Sequence, residues 1–128
     1  MSDRSLNEFP LLSLFSPNDG KFIVVILSDN KGAQKTVVCG GDKNDQHYNL
    51  FEKFKEIVHE YNFSATCIGG GKYLIVPDER EVFIWSESFH FGKEPDRSVT
   101  LAIFRETCPG FKVSSLNFSE MYTKGLNL

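Results

Sequence analysis

The residue best suited to chemistry in this sequence is His47, which lies at the start of a predicted helix. It belongs to an apolar stripe of helical spacing, whose other members are Leu50, Phe51, Phe54, Ile57, Val58 and Tyr61. In the first turn of a helix that faces a sheet, the helix dipole and burial both disfavour the imidazolium. We therefore expect a ring that is neutral at about pH 7 and available as a base or a nucleophile. The alternative is a core histidine with one hydrogen bond.

A second polar segment, residues 86–92, follows a predicted strand and contains Ser88, Phe89 and His90. It offers hydroxyl groups, another imidazole and a turn whose backbone amides could bind an anion. The alternative interpretation is an ordinary polar loop, since connections of this composition are common at protein surfaces.

Three consecutive glycines, residues 69–71, precede Lys72 and superficially resemble a phosphate-binding loop. The Walker pattern requires a glycine five residues before the last one and a Ser or Thr after the lysine. Those positions hold Thr66 and Tyr73. The triplet is therefore interpreted as a flexible or tightly packed connection between strands.

Other site chemistries find little support in the sequence. No close pair of Asp or Glu residues suggests a metal or glycosidase site, and no Gly-x-Ser-x-Gly segment is present. Cys39, Cys67 and Cys108 are odd in number and widely spaced, so reduced, buried thiols are expected. We expect no metal and no cofactor.

The elements that must position these residues follow from hydrophobic periodicity and turn signals. Residues 1–17 are predicted to be an irregular leader, and residues 18–128 a single domain. A helix capped by Asp42 or Asn44 carries His47, and a second helix opens at Pro95 or Asp96. Its apolar face is predicted to contain Val99, Leu101, Ala102 and Ile103. Strands are predicted at 22–27, 34–39, 63–68, 72–76, 81–86 and 111–116. The order predicts an α/β domain with a mixed sheet of about six strands and two helices packed on it.

Composition narrows the function classes. The chain has 128 residues, 41% of them apolar, which is enough for one buried core. A net charge of −3 with no basic run disfavours nucleic acid as a partner. The longest apolar run, residues 22–27, is far shorter than the roughly 20 residues that a membrane helix needs. We expect a cytoplasmic, monomeric protein that does not bind membranes.

Taken together, these segments resemble the Janus/Ocnus family of phosphohistidine phosphatases. The resemblance spans residues 19–116, and its motifs occur in the family's order and spacing. They are Asp19-Gly20, Gln46-His47 with Leu50, Phe51 and Phe54, the segment from Cys67 to Lys72, the segment from Trp85 to Gly92, and the segment from Cys108 to Val113.

The resemblance implies a role for each matched residue. His47 matches the catalytic histidine, which acts as a general base toward water; a transient phosphohistidine on the enzyme is also conceivable. Ser88, Phe89 and His90 match the stretch that binds the phosphoryl group through the serine hydroxyl and backbone amides. Lys72 matches a family arginine, and keeps its charge but not its bidentate geometry.

The sequence also departs from the family pattern. Ile23 stands where the family has a lysine, and Lys21, two residues away on the same strand face, could replace that charge. Glu87 adds a carboxylate near the matched serine. A family histidine beyond Gly92 is replaced by Asp96 or Arg97.

The expected function is metal-independent hydrolysis of the P–N bond in phosphohistidine-containing proteins. The alternative is a catalytically diverged binding or regulatory module that recognises a phosphorylated or acidic protein. Intact His47, Ser88 and the glycine triplet 69–71 favour the enzyme, whereas Ile23 and Glu87 favour the binding module.

Overall fold

The β-branched run that follows Asp19 forms one of the two central strands of a six-stranded mixed sheet. The computed structural model describes residues 5–124, apart from the side chains of Phe118 and Met121. The strands are β1 Leu12–Leu14, β2 Asp19–Ser28, β3 Gln34–Gly41, β4 Ser64–Val76, β5 Glu81–Trp85 and β6 Lys112–Ser115. The helices are α1 His47–Glu60, α2 Arg97–Thr107 and α3 Phe118–Thr123, and 3-10 turns lie at Leu6–Glu8 and Pro77–Glu79.

The spatial order of the strands is β1-β3-β2-β4-β5-β6. Strand β2 pairs antiparallel with β3 and β4, and β4 pairs antiparallel with β5. The two outer strands, β1 and β6, pair parallel with their neighbours. The predicted mixed α/β sheet and the predicted hairpin between the first two long strands are therefore confirmed.

Both faces of β2 are buried, which explains why its sequence is a continuous apolar run rather than an alternating one. Ile23, Val25 and Leu27 face α1 and pack in one cluster with Leu50, Phe54 and Val58. Phe22 and Val24 face the other way and pack in a second cluster with Ile103 and Phe104 of α2. The sheet therefore separates two hydrophobic layers, and α1 and His47 lie on one side of it.

The number of strands agrees with the prediction, but two of the strands differ. Part of the predicted irregular leader is regular, because residues 6–8 form a 3-10 turn and β1 pairs with β3. Leu6 and Phe9 of this segment are buried in the α1 cluster, and residues 1–4 lie outside the described part of the chain. Conversely, the strands predicted at 63–68 and 72–76 are one strand, β4, that continues through the glycines.

The helix starts are set by local hydrogen bonds. The predicted cap of α1, Asp42 or Asn44, is wrong: the Asp42 carboxylate accepts from the Asn44 amide in a separate turn, and α1 begins at His47 with Gln46 as its N-cap. The second helix begins at Arg97, directly after the predicted opening at Pro95 or Asp96, and is capped by the Asp96 carboxylate, which accepts from the Ser98 amide.

The predicted apolar face of α2 is partly wrong. Ile103 is buried, Leu101 is half-buried, and Val99 and Ala102 are exposed. The face that packs on the sheet instead includes Arg97, Thr100 and Phe104. Two polar residues can occupy this face because both bond to a buried carboxylate, Glu94.

All three cysteines are free thiols, as predicted, although their burial differs. Cys39 lies in the core, where burial raises its pKa to about 12. Cys67 and Cys108 are only half-buried.

Candidate functional site

A cleft of about 340 Å³ opens at the N-terminal end of α1. Its walls are Lys21, Gln46, His47, Tyr48, Phe89 and His90. Four of these are predicted site residues: Lys21, His47, Phe89 and His90. Two other clefts lie at the opposite end of the sheet, around the turn between β2 and β3, and contain none of the predicted site residues.

His47 is the first residue of α1 and is only 6% exposed. Its Nε2 lies 2.9 Å from the carbonyl oxygen of Gly71 on β4. Because a carbonyl oxygen only accepts, Nε2 must carry the proton, and Nδ1 keeps its lone pair in the neutral ring. The predicted position in the first helical turn, on the face toward the sheet, is confirmed.

The pKa of His47 lies below its ordinary value of 6.5. Burial is the main cause, and the positive charges of Lys21 and Lys72 lower the pKa further, whereas the hydrogen bond to Gly71 acts in the opposite direction. A neutral imidazole at about pH 7 is thus favoured by the surroundings of the ring, in agreement with the sequence prediction.

Two lysines lie side by side next to this histidine. Lys21 on β2 is directly opposite Lys72 on β4, so both side chains share the face that α1 covers. Lys21 Nζ donates to the backbone oxygen of Asp45 at 2.6 Å, which leaves it further N–H donors. Lys72 is half-buried and does not line the cleft. Two like charges facing each other across a ladder are unfavourable unless an anion lies close by.

The N-terminus of α1 adds further positive character to the cleft. Its cap, Gln46, makes no side-chain capping bond. The amides of His47, Tyr48 and Asn49 have no acceptor within residues 5–124. Uncapped amides at the positive end of a 14-residue helix, beside a lysine, form a site suited to an anion.

The opposite wall is a tight turn from Ser88 to Gly92. Ser88 and Gly92 exchange two backbone hydrogen bonds, and Ser88 Oγ accepts from the amides of His90 and Phe91 at 3.2 and 3.0 Å. The His90 amide is thus already paired inside the turn. The Phe89 amide has no acceptor in the described part of the chain. Ser88 itself is buried behind the turn, where its hydroxyl hydrogen remains free to donate.

The chain enters this turn through an unusual backbone conformation. Ser86 has a φ of 68°, in the left-handed region that costs a non-glycine residue about 1–2 kcal/mol. This residue lies between the end of β5 and the 88–92 turn. The adjoining Glu87 is exposed and is not part of the cleft wall, so its carboxylate does not occupy the anion site.

The glycine triplet is required by close packing within β4. A Cβ on Gly69, whose φ is +155°, would lie 2.1 Å from the Glu94 amide nitrogen. One on Gly70 would lie 2.3 Å from the Phe22 carbonyl oxygen and 3.1 Å from Cδ2 of His47. The tightly packed alternative is therefore right, but the triplet lies inside a strand and not between two strands.

A buried ion pair supports the triplet from the other side of the sheet. Arg97 donates to both carboxylate oxygens of Glu94, at 2.8 and 3.0 Å, and its Nη2 also donates to the Gly70 carbonyl at 3.0 Å. Thr100 adds a hydrogen bond to Glu94. The pair thus connects the start of α2 to Gly70 of β4. The carbonyl of the next residue, Gly71, is the one that accepts from His47.

Sequence reasoning assigned no role in the site to three residues of this region. Gln46 and Tyr48 line the cleft, and their position on either side of His47 was the available signal. Glu94 was missed as well, although its spacing of three residues from Arg97 is typical of an ion pair.

Neither a metal-ligand cluster nor a membrane helix is found in the described residues. Within residues 5–124, no three His, Cys, Asp or Glu side chains converge in a way that could hold a metal ion. The helices of this part of the chain are too short or too polar to cross a membrane.

Comparison with known proteins gives one family. The sequence profile of the Janus/Ocnus family matches residues 6–112. The sex-regulated protein janus-A of Drosophila yakuba is 26% identical over 115 residues, which cover 90% of this chain and 84% of the relative. Janus-A of Drosophila melanogaster is 26% identical over 113 residues, covering 88% and 83%. The chain therefore belongs to the Janus/Ocnus family.

Proposed function

We propose that this protein hydrolyses the P–N bond of phosphohistidine side chains in other proteins, with His47 as the base that activates water. The observation that carries the proposal is a buried histidine of lowered pKa in one cleft with Lys21 and the uncapped amides of α1. Its Nε2 is fixed by Gly71, so Nδ1 is the nitrogen left to accept a proton.

The cleft offers donors for a phosphoryl group. Phosphoryl transfer passes through a loose transition state in which negative charge is spread over three equatorial oxygens. The Lys21 ammonium, the first amides of α1 and the Phe89 amide are the groups proposed to bind these oxygens. All but the lysine are backbone groups held by hydrogen-bonded elements, which keeps them in place during the reaction.

The proposed step is an in-line attack by water. The water oxygen forms a bond to phosphorus while His47 Nδ1 takes its proton, and the P–N bond breaks. The substrate imidazole enters the step already protonated on its other nitrogen, so it keeps the bonding electron pair and leaves as neutral imidazole. His47 then releases the proton it took to solvent. A base of this kind contributes roughly 10² to 10⁴ to the rate.

The test is release of inorganic phosphate from a phosphohistidine peptide in the presence of a chelator. The wild type is expected to turn over, and His47→Ala to lose about 100-fold or more in kcat/KM. His59→Ala is the matched control, because His59 is exposed in the last turn of the same helix. Equal turnover by His47→Ala and the wild type would exclude His47 as the base.

A second candidate function is recognition of a phosphorylated or acidic segment without turnover. The observation that favours it is Ile23, which stands at the family's lysine position and is fully buried under α1. Lys21 already bonds to Asp45, so the cleft has fewer free cationic donors than the family pattern implies. Binding of the phosphohistidine peptide with no phosphate release by folded wild-type protein would support this function.

A further inference from the structure

Three aromatic side chains at the mouth of the cleft are exposed to solvent. Phe89 is fully exposed in the 88–92 turn, His90 is exposed in the same turn, and Tyr48 is exposed in the first turn of α1. All three line the cleft together with Lys21 and His47. An exposed aromatic ring that borders a polar cleft is typical of a ligand contact rather than of a folding requirement.

Two of the rings, Tyr48 and His90, are held in place by aromatic contacts, whereas the position of Phe89 is set by the backbone of the turn. Tyr48 and His90 meet edge to face with centroids 5.0 Å apart, and His90 meets Phe91 in the same way at 4.7 Å. Phe91 in turn packs on Phe51 of α1 at 5.4 Å. The turn itself is closed by the Ser88 bonds, and Gly92 accepts from the Gly70 amide at 3.0 Å. The Phe89 ring therefore projects from a fixed backbone.

We propose that Tyr48, Phe89 and His90 form an aromatic rim that selects phosphoryl compounds whose leaving group is a flat aromatic ring over those with an alkylamine. The proposal rests on the proposed function, since it assumes that the phosphoryl group lies against Lys21 and the α1 amides. Phosphohistidine is the matching protein side chain, and phospholysine the disfavoured one.

The physical reason for this preference is the distance between the phosphorus atom and the ring of the leaving group. In phosphohistidine a ring nitrogen is bonded directly to phosphorus, so the imidazole plane starts one bond from the phosphoryl group, inside the cleft that Tyr48, Phe89 and His90 line. There it can pack face or edge against aromatic neighbours, which favours it by about three- to tenfold. In phospholysine a flexible methylene chain occupies this place, and ordering it costs rotamer entropy.

The test compares two phosphonates that cannot be hydrolysed, phenylphosphonate and n-butylphosphonate, by NMR titration of the amides around the cleft. The titration is run at a pH above the second pKa of both compounds, where both are dianions and only the attached group differs. The wild type is expected to bind phenylphosphonate about three- to tenfold more tightly. Phe89→Leu should bring the two dissociation constants to within about twofold, because it removes a ring while keeping an apolar side chain.

The matched control is Tyr122→Leu, which removes an exposed aromatic ring on α3 outside the cleft wall and should keep the preference. The proposed selection by the rim would be overturned by equal affinities of the wild type for the two phosphonates. It would also be overturned if the preference survives Phe89→Leu, or if neither phosphonate shifts the cleft amides. The outcome is separable from turnover. A preference for phenylphosphonate without phosphate release would contradict the proposed hydrolysis but support the aromatic rim. Turnover without that preference would support hydrolysis and contradict the rim.

Discussion

The two ends of helix α1 differ in how their polar groups are satisfied. At its C-terminal end, the Tyr61 and Asn62 amides donate to helix carbonyls, and the Asp29 carboxylate accepts from the amides of Lys31 and Ala33 in the neighbouring turn. At its N-terminal end the first amides have no acceptor in the described chain, and two lysines face each other.

The contrast separates polar groups that complete the fold from polar groups that are kept for a ligand. A helix end that bonds to its own chain contributes to stability. A helix end whose backbone amides have no acceptor and lie beside a positive charge lacks some of that stability. An anion that binds there restores it.

The largest expected effect concerns the ion pair behind the glycine triplet. Glu94→Gln leaves the buried Arg97 charge without its partner and should lower the free energy of unfolding by about 3–5 kcal/mol. Glu52→Gln is the matched control, because the Glu52–Lys55 pair has the same spacing but is exposed, and its loss should cost less than about 0.5 kcal/mol. Urea unfolding measures both, and similar losses in the two variants would show that the Glu94–Arg97 pair does not support β4.

A smaller effect on the free energy of unfolding is expected when one glycine near each end of α1 is replaced by alanine. Gly70→Ala places a methyl group against the Phe22 carbonyl and should cost about 3 kcal/mol, and it should also displace the His47 ring. Gly32→Ala, at φ +90° with open space around it, should cost only about 1 kcal/mol of backbone strain. Equal costs in urea unfolding would mean that β4 moves away from β2 without penalty.

The free energy of unfolding should depend on pH through His47, at the N-terminal end of α1. Because the folded pKa of His47 is lowered from 6.5, the unfolded chain binds more protons in the window between the two pKa values. The free energy of unfolding should fall as the pH drops through this window. His47→Gln, whose side-chain amide can still donate to Gly71, should lack this part of the slope. An identical acid slope in both proteins, by urea unfolding at several pH values, would contradict the lowered pKa.

The smallest effect is expected on phosphate binding, when one lysine near each end of α1 is replaced by methionine. Lys21→Met should weaken binding of inorganic phosphate several-fold, since it removes a charge from the cleft wall. Lys31→Met removes a charge at the other end and should leave phosphate binding unchanged. NMR titration compares the two variants, and equal weakening would point to a general charge effect rather than a site.

The elements that were predicted correctly are those whose signal is local. The apolar run of β2, the hairpin to β3 and the stripe of α1 identify themselves over a few residues. The position of His47 in the first turn of α1, toward the sheet, follows from that stripe.

The elements that were missed depend on distant partners. Strand β1 has three residues and exists because β3 pairs with it. The glycine triplet has the composition of a turn, yet it is a strand because the backbones of Phe22, Trp85 and Glu94 approach it closely. The contact of Arg97 with Gly70 also joins residues far apart in the chain, which single-sequence patterns do not encode.

Catalysis at the open end of α1 is tested most directly by the rate at which folded wild-type protein and His47→Gln release phosphate from a phosphohistidine peptide with chelator present. The expected result is multiple turnovers by the wild type and a loss of about 100-fold or more in His47→Gln, with both proteins still binding phosphate. Equal rates in the two proteins, or no release by a wild type that binds the peptide, would contradict the proposed hydrolysis by His47.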